Sequence, residues 1–201
     1  METLLFHGNQ IDERHIDRAV DVITSGGIII YPTDSLYALG CDALDNRAIE
    51  RLCRIKGINP DKQLLSVVCT DISQAADYAR IDNRAFRLLK EYLPGPYTFI
   101  LPASNRLPKV FKGRRSVGIR IPDNAVARAL ADTLGHPLLS TSVAIDDDDE
   151  AASPASVAMR YDGLADLILD CGEGGTVPST VVDLTDSASP SLIRQGLGEF
   201  I

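Results

Sequence analysis

The sequence lacks any stretch long enough to cross a bilayer. Its most hydrophobic run, Ile28 to Tyr31, is only strand-sized. It has four cysteines (Cys41, Cys53, Cys69 and Cys171) without a CxxC pair, and three scattered histidines. No zinc-ligand spacing and no disulfide framework can be read from these. Basic residues do not prevail either: 20 Lys and Arg stand against 28 Asp and Glu, for a net charge of −8. That balance disfavours a general nucleic-acid coat protein, while a local basic groove remains compatible with it. The first residues, METLLFHGNQIDER, lack the basic start and long apolar centre of a secretory signal. The expectation is a cytoplasmic protein with no membrane partner and with reduced, mostly buried thiols.

Several catalytic signatures are missing too. There is no GxxxxGK[ST] phosphate loop and no GxGxxG. There is no GxSxG elbow with Ser, His and Asp partners. Nothing supports a covalent mechanism. Gly172-Glu173-Gly174-Gly175 follows an apolar strand and reads as a turn. The acidic stretch Asp146 to Ala155 reads as a solvated loop, because ligands from one loop do not converge on a metal.

What is present suits a globular chain. The 201 residues are 45% hydrophobic and 24% charged, enough for one domain over 1–201 with its own core. Strand and helix signals alternate. Asp12, Asn46, Asp82 and Asp123 are placed to cap helices, and Ser153-Pro154 to start another. Ile16, Ala19, Val20 and Ile23 fall on one helix face, as do Ala85, Phe86, Leu89 and Tyr92. Strands are expected at 28–31, 36–43, 64–69, 97–101, 117–121, 138–142, 167–169, 180–184 and 191–194. The expected fold is α/β, a mixed sheet with helices packed on it.

Hydroxyl and cationic residues gather at strand ends, where small-ligand sites of α/β folds tend to form. Thr33, Ser35 and Tyr37 follow the first core strand, Ser140, Thr141 and Ser142 end another, and Ser179-Thr180 open a third. Arg120 lies inside an apolar strand, so it is either salt-bridged or facing an anionic ligand. Arg194 also ends a strand, beside glycine. Arg47, Arg51 and Arg54 share a helix face that either pairs with Glu50 or Asp45 or, with Lys56 beyond it, meets phosphates. Together the hydroxyls and the two strand-borne arginines suggest a concave site for anions, such as a nucleotide and a carboxylate.

The segments YPTDSLYALGCDA, RLCRIKG, PGPYTFIL, VGIRIPDN, LLSTS, DLILDCG, PSTVVDLT and LIRQGLG, in that order, resemble the YrdC/YciO family. Its best-known members are threonylcarbamoyl-AMP synthases. The resemblance implies a single domain with a twisted parallel and antiparallel sheet, flanked by helices, around a deep cavity. It implies L-threonine, bicarbonate (as CO2) and ATP as substrates, with Mg2+ carried by the nucleotide and no protein metal site. It also implies a downstream transferase that moves the threonylcarbamoyl group to tRNA. By similarity, Lys56, Ser142 and Arg194 face ATP, with Lys62 as a further phosphate contact. Thr33, Ser35, Tyr37, Arg120, Ser140, Ser179 and Thr180 face threonine.

The sequence departs from the family's motifs in three places. KxR reads Lys56-Gly57-Ile58, SxN reads Ser142-Val143-Ala144, and NPLIVHI reads KQLLSVVC over Lys62 to Cys69. A lost charge-assisted phosphate contact costs roughly 1.5–3 kcal/mol. The departures point to the YciO-like branch and keep a second reading open: a double-stranded RNA or tRNA-binding protein of the same fold, using local basic clusters such as Lys112 to Arg115. A third, a hydrogenase-maturation type of carbamoyl transfer, needs an additional domain and ranks last.

Overall fold

The computed structural model describes residues 1–7, 10–59, 63–108, 115–143 and 153–201. In chain order the elements are β1 (Glu2–Leu5), α1 (Glu13–Thr24), β2 (Ile29–Tyr31), β3 (Ala38–Asp42), α2 (Asn46–Lys56), β4 (Ser66–Val68), α3 (Ile72–Tyr78) and α4 (Asn83–Tyr92). There follow β5 (Tyr97–Pro102), β6 (Ser116–Arg120), α5 (Ala125–Leu134), β7 (Leu138–Ser142), α6 (Pro154–Arg160), β8 (Leu167–Asp170), β9 (Thr180–Asp183) and β10 (Ser191–Arg194). β1 and α3 have no counterpart in the sequence reading.

Caps explain where the helices begin. Asp12 and Asp82 accept from backbone N–H groups of the first turns of α1 and α4. Two caps sit one residue from their expected place. Asp45, not Asn46, caps α2 by accepting from Arg47 N at 2.8 Å. Asn124, not Asp123, caps α5 by accepting from Ala127 N at 3.0 Å. Ser153 precedes α6 as expected but makes no side-chain cap hydrogen bond, so the proline at the first turn marks that start. Phe86, expected inside with Ala85 and Leu89, is 46% exposed at the edge of its helix face.

The strands form one ten-stranded sheet in the order β1-β8-β2-β3-β7-β4-β6-β5-β9-β10. Pairs β1–β8, β2–β8, β4–β6 and β5–β9 are parallel, and the other neighbours are antiparallel. This is the mixed α/β sheet expected. Helices cover both faces. α2, α3, α4 and α6 pack on one through Leu52, Ala75, Leu89 and Val157. α1 and α5 pack on the other through Ile16, Ala19, Ile23, Val126, Ala127 and Leu130.

The second face positions the site. Gly40, Ser140, Ser66 and Gly118 sit opposite one another across β3, β7, β4 and β6. The two-residue period of a strand puts Leu138 on the same face as Ser140, and Val68 on the same face as Ser66. Leu138 and Val68 belong to the apolar cluster under α1 and α5. The face is thus apolar where those helices cover it, and it turns to hydroxyls next to them.

Candidate functional site

The turn after β2 is built by its own hydroxyls. Thr33 Oγ1 donates to Leu36 O at 2.6 Å and accepts from Ser35 N at 3.1 Å. This fixes Ser35, whose Oγ accepts from Arg120 Nη2 at 3.0 Å. The same Nη2 donates to Asp34 Oδ1 at 3.0 Å, and Asp34 Oδ2 accepts from Asp123 N at 2.7 Å. The Asp34 and Arg120 side chains are only 7% and 10% exposed. Burial pushes the Asp34 carboxyl above its ordinary value, and the guanidinium works against that shift. Arg120 is therefore salt-bridged, the first of its two alternatives. Its Nε, however, is buried with no hydrogen-bond partner, so the bridge leaves one donor unmet.

A second cation comes from β10. Arg194 Nη2 donates to Ser179 O at 2.8 Å. Burial lowers its pKa, and the neighbouring Arg120 charge lowers it further. Two guanidinium groups thus repel each other across one site, an arrangement that favours an anion between them. Ser179 Oγ pairs with Thr98 Oγ1 at 2.9 Å. Ser140 Oγ accepts from Tyr31 OH at 2.6 Å.

Ser35, Thr98, Arg120, Ser140, Ser179 and Arg194 line a cavity of about 210 Å3. Of the residues expected at a site, it brings together Ser35, Arg120, Ser140, Ser142, Ser179 and Arg194. Thr180 lies elsewhere: it is fully buried, its Oγ1 donates to Gly198 O, and it accepts from Gly196 N at 2.9 Å. It holds the C-terminal turn against β9. Thr33 and Tyr37 line a separate hollow of about 240 Å3 with Asn124 and Cys171, and Ser35 lies between the two spaces. Tyr37 OH donates to Gly172 O at 2.8 Å and accepts from Cys171 N at 3.0 Å. Lys56 is half-buried outside the cavity lining, with its pKa lowered by burial and then by Arg160. Lys62, Ala144, Lys112 to Arg114 and most of the acidic loop lie outside the described residues, while Arg115 is exposed just before β6.

The cavity also contains residues that the sequence reading missed. Ser66 and Thr98 are hydroxyls within short apolar strands, the same signal that singled out Arg120. Arg51 of the helix-face triplet pairs with neither Glu50 nor Asp45. It donates to both carboxylate oxygens of Asp166, at 2.7 and 3.1 Å, and to Leu164 O at 2.9 Å.

Chemically, the site offers cations and hydroxyls rather than an activated nucleophile. The Cys171 thiol is pushed up to about 11 by burial, and Tyr31 to about 12 for the same reason. Among the described residues no three His, Cys, Asp or Glu side chains meet as metal ligands. No helix among them is long and apolar enough to cross a membrane.

A family model described as "Telomere recombination", covering Sua5, YciO and YrdC, matches residues 21–196. The chain belongs to the Sua5/YciO/YrdC family. It is 41% identical to the protein YciO of Escherichia coli (strain K12) over 196 residues, 96% of this chain and 94% of that one. The crystal structure of E. coli YciO superposes with a TM-score of 0.92, covering 99% of this chain and 98% of that one. A threonylcarbamoyl-AMP synthase of Pyrococcus abyssi (strain GE5 / Orsay) is 32% identical over 93% of this chain and 55% of its own length. The P. abyssi Sua5 structure complexed with L-threonine has a TM-score of 0.86 at 32% identity, covering 97% of this chain and 57% of that one. Membership of the Sua5/YciO/YrdC family thus agrees with the resemblance drawn from the sequence motifs.

Proposed function

We propose that the cavity binds the anionic partners of an adenylate-forming reaction, and that the chain makes threonylcarbamoyl-AMP from L-threonine, bicarbonate and ATP. The observation that carries this reading is the pair of cations, Arg120 and Arg194, on one cavity. A carboxylate or phosphate placed between them relieves the repulsion between the two cations. The threonine-bearing relative supports the choice of amino acid.

The reaction needs no protein nucleophile. Threonine and bicarbonate condense to the N-carboxy derivative with loss of water. A carbamate oxygen attacks the α-phosphorus of ATP, and the bond from that phosphorus to the bridging oxygen breaks. Pyrophosphate leaves. The protein's part is to hold two anions together and screen their repulsion, since positioning and charge stabilisation carry most of the catalysis in phosphoryl transfer. Ser35, Ser140 and Ser142 orient them, and Lys56 and Lys62 assist the phosphates in this reading. Mg2+ enters on the triphosphate, held by phosphate oxygens and water. The product serves a transferase that modifies tRNA.

Incubation of the protein with ATP, Mg2+, L-threonine and bicarbonate, followed by chromatography of adenylates, tests this. Threonine-dependent adenylate and pyrophosphate are expected, reduced in Arg194→Ala. Absence of both products, beside an active control synthase, would overturn the reading.

A further inference from the structure

A hollow of about 400 Å3 lies where β4 and β6 end. These two strands run parallel, with Val68 opposite Arg120. Thr70 and Ile121, just beyond them, both line the hollow. Ligands of open α/β sheets collect in such crevices, outside the carboxyl ends of the strands. The hollow shares no lining residue with the cavity that holds Arg120 and Arg194.

Its walls come from both helix layers: Ile72 and Ser73 from α3, Phe86 and Lys90 from α4, and Arg128 from α5. Each wall is tied in place. Gln74 Oε1 accepts from Thr70 N at 2.9 Å, and its Nε2 donates to Ala131 O at 3.0 Å, which joins α3 to α5. Gly95 N donates to Ile121 O at 3.0 Å, which joins the turn after α4 to the end of β6. The hollow is therefore formed before anything enters it, as small-ligand sites usually are.

The lining combines apolar surface with spare positive charge. Leu93 and Ile121 are buried, whereas the Phe86 ring is exposed. A ring or alkyl chain laid on it takes that surface out of water. Among the described residues Lys90 makes no ion pair. Arg128 comes only within 4.0 Å of Asp123, whose side chain is mostly exposed. Asp71 is the one carboxylate in the lining, and it is engaged in capping α3, where it accepts from Gln74 N at 2.7 Å. Two weakly committed cations beside apolar surface, on a chain of net charge −8, complement an anion that carries hydrocarbon.

We propose that this hollow is a second ligand site, and that it takes a small amphipathic carboxylate with an aromatic or branched hydrocarbon body. The hydrocarbon lies against Phe86, Leu93 and Ile121. The carboxylate meets Lys90 and Arg128. A neutral analogue of the same shape keeps the first contact and loses the second. An inorganic anion has only the second.

The test is an amide-resolved NMR titration of the whole 15N-labelled chain with 3-phenylpropionate, 3-phenylpropanol and pyrophosphate. Phenylpropionate should saturably shift the amides of Thr70, Ile72, Phe86, Lys90, Ile121 and Arg128. It should bind about tenfold tighter than the alcohol. Pyrophosphate should leave these amides in place. Lys90→Gln and, separately, Arg128→Gln should bring phenylpropionate down towards the alcohol, and Phe86→Ala should weaken both several-fold. A parent-like spectrum establishes that each variant is folded, and the three probes on the parent decide the question even without them. Equal affinity for acid and alcohol overturns the anionic class. Equal movement by pyrophosphate overturns the need for hydrocarbon. Shifts confined to the Arg120 and Arg194 cavity, or no saturable shift, overturn the site itself. Each result stands whether or not the cavity forms adenylate.

Discussion

The Tyr31 hydroxyl reaches Ser140 Oγ, 2.6 Å away, although β3 lies between their strands. The ring spans β3 at Gly40, the residue directly opposite Ser140. A fully buried aromatic thereby ends in a hydrogen bond to a cavity hydroxyl. The core under α1 and the candidate site share this one side chain.

Gly40→Ala should therefore disturb the site as well as the core. A Cβ there would come 2.7 Å from Tyr31 Cε1 and 3.4 Å from Leu138 Cδ2. The ring is enclosed, so relief requires strain of about 1–3 kcal/mol. A lower urea midpoint with an unchanged slope is the expected result.

The same ring predicts an alkaline limit. Burial raises the Tyr31 pKa from 10 to about 12, against the pull of its bond to Ser140. The folded state then holds this proton more tightly than the unfolded chain does. The contribution is complete below pH 10 and is lost as pH rises through 12, in total about 3 kcal/mol. Stability measured from pH 8 to 11.5 should fall above pH 10. Tyr31→Phe should flatten part of that decline.

The sequence already showed most of the fold, because its signals are local. Apolar periodicity marks α1, α2, α4 and α5, and short β-branched runs mark the central strands. β1 was invisible because Glu2–Leu5 is largely exposed and gains its strand state from parallel pairing with β8, 165 positions on at Glu2↔Leu167. α3 was missed because seven residues give barely two turns of pattern. The misplaced caps come from adjacent acceptors, Asp45-Asn46 and Asp123-Asn124, which sequence cannot rank. In the second pair the Asp123 N–H is engaged by Asp34 instead. At the site, the arginines and serines were legible as polar groups in apolar strands. The direction of Thr33 and Tyr37 was not, since it depends on where the 172–175 turn passes.

Asp34 and Arg120 should behave as one unit. Arg120→Met leaves a buried carboxylate without its cation and should cost about 3 kcal/mol at neutral pH. The Asp34 pKa is already raised by burial, and losing Arg120 raises it more. A raised folded-state pKa means that stability is present below the unfolded value and is lost as pH rises through the folded one. The defect of Arg120→Met should therefore shrink on acidification towards pH 4. Asp34→Leu combined with Arg120→Met should return to within about 1 kcal/mol of the parent. Denaturation of Arg120→Met, Asp34→Leu and the double variant at pH 4 and pH 7 measures the coupling, and additive losses would show that the pair is not coupled.

Arg194 separates binding from stability. Its guanidinium rests on the Ser179 carbonyl, near a second cation, on an exposed edge strand. Removing it relieves repulsion with Arg120 and costs one hydrogen bond, so Arg194→Ala should change stability by no more than about 1 kcal/mol. An anion in the cavity loses a charge-assisted contact worth roughly 1.5–3 kcal/mol, about tenfold to a hundredfold in affinity. Calorimetric titration with pyrophosphate, beside thermal denaturation, reads both quantities on the same samples. Weakened pyrophosphate binding at an unchanged melting temperature would place the anion between the two arginines. Equal affinity in parent and variant would place it elsewhere and remove the main support for adenylate chemistry at this cavity.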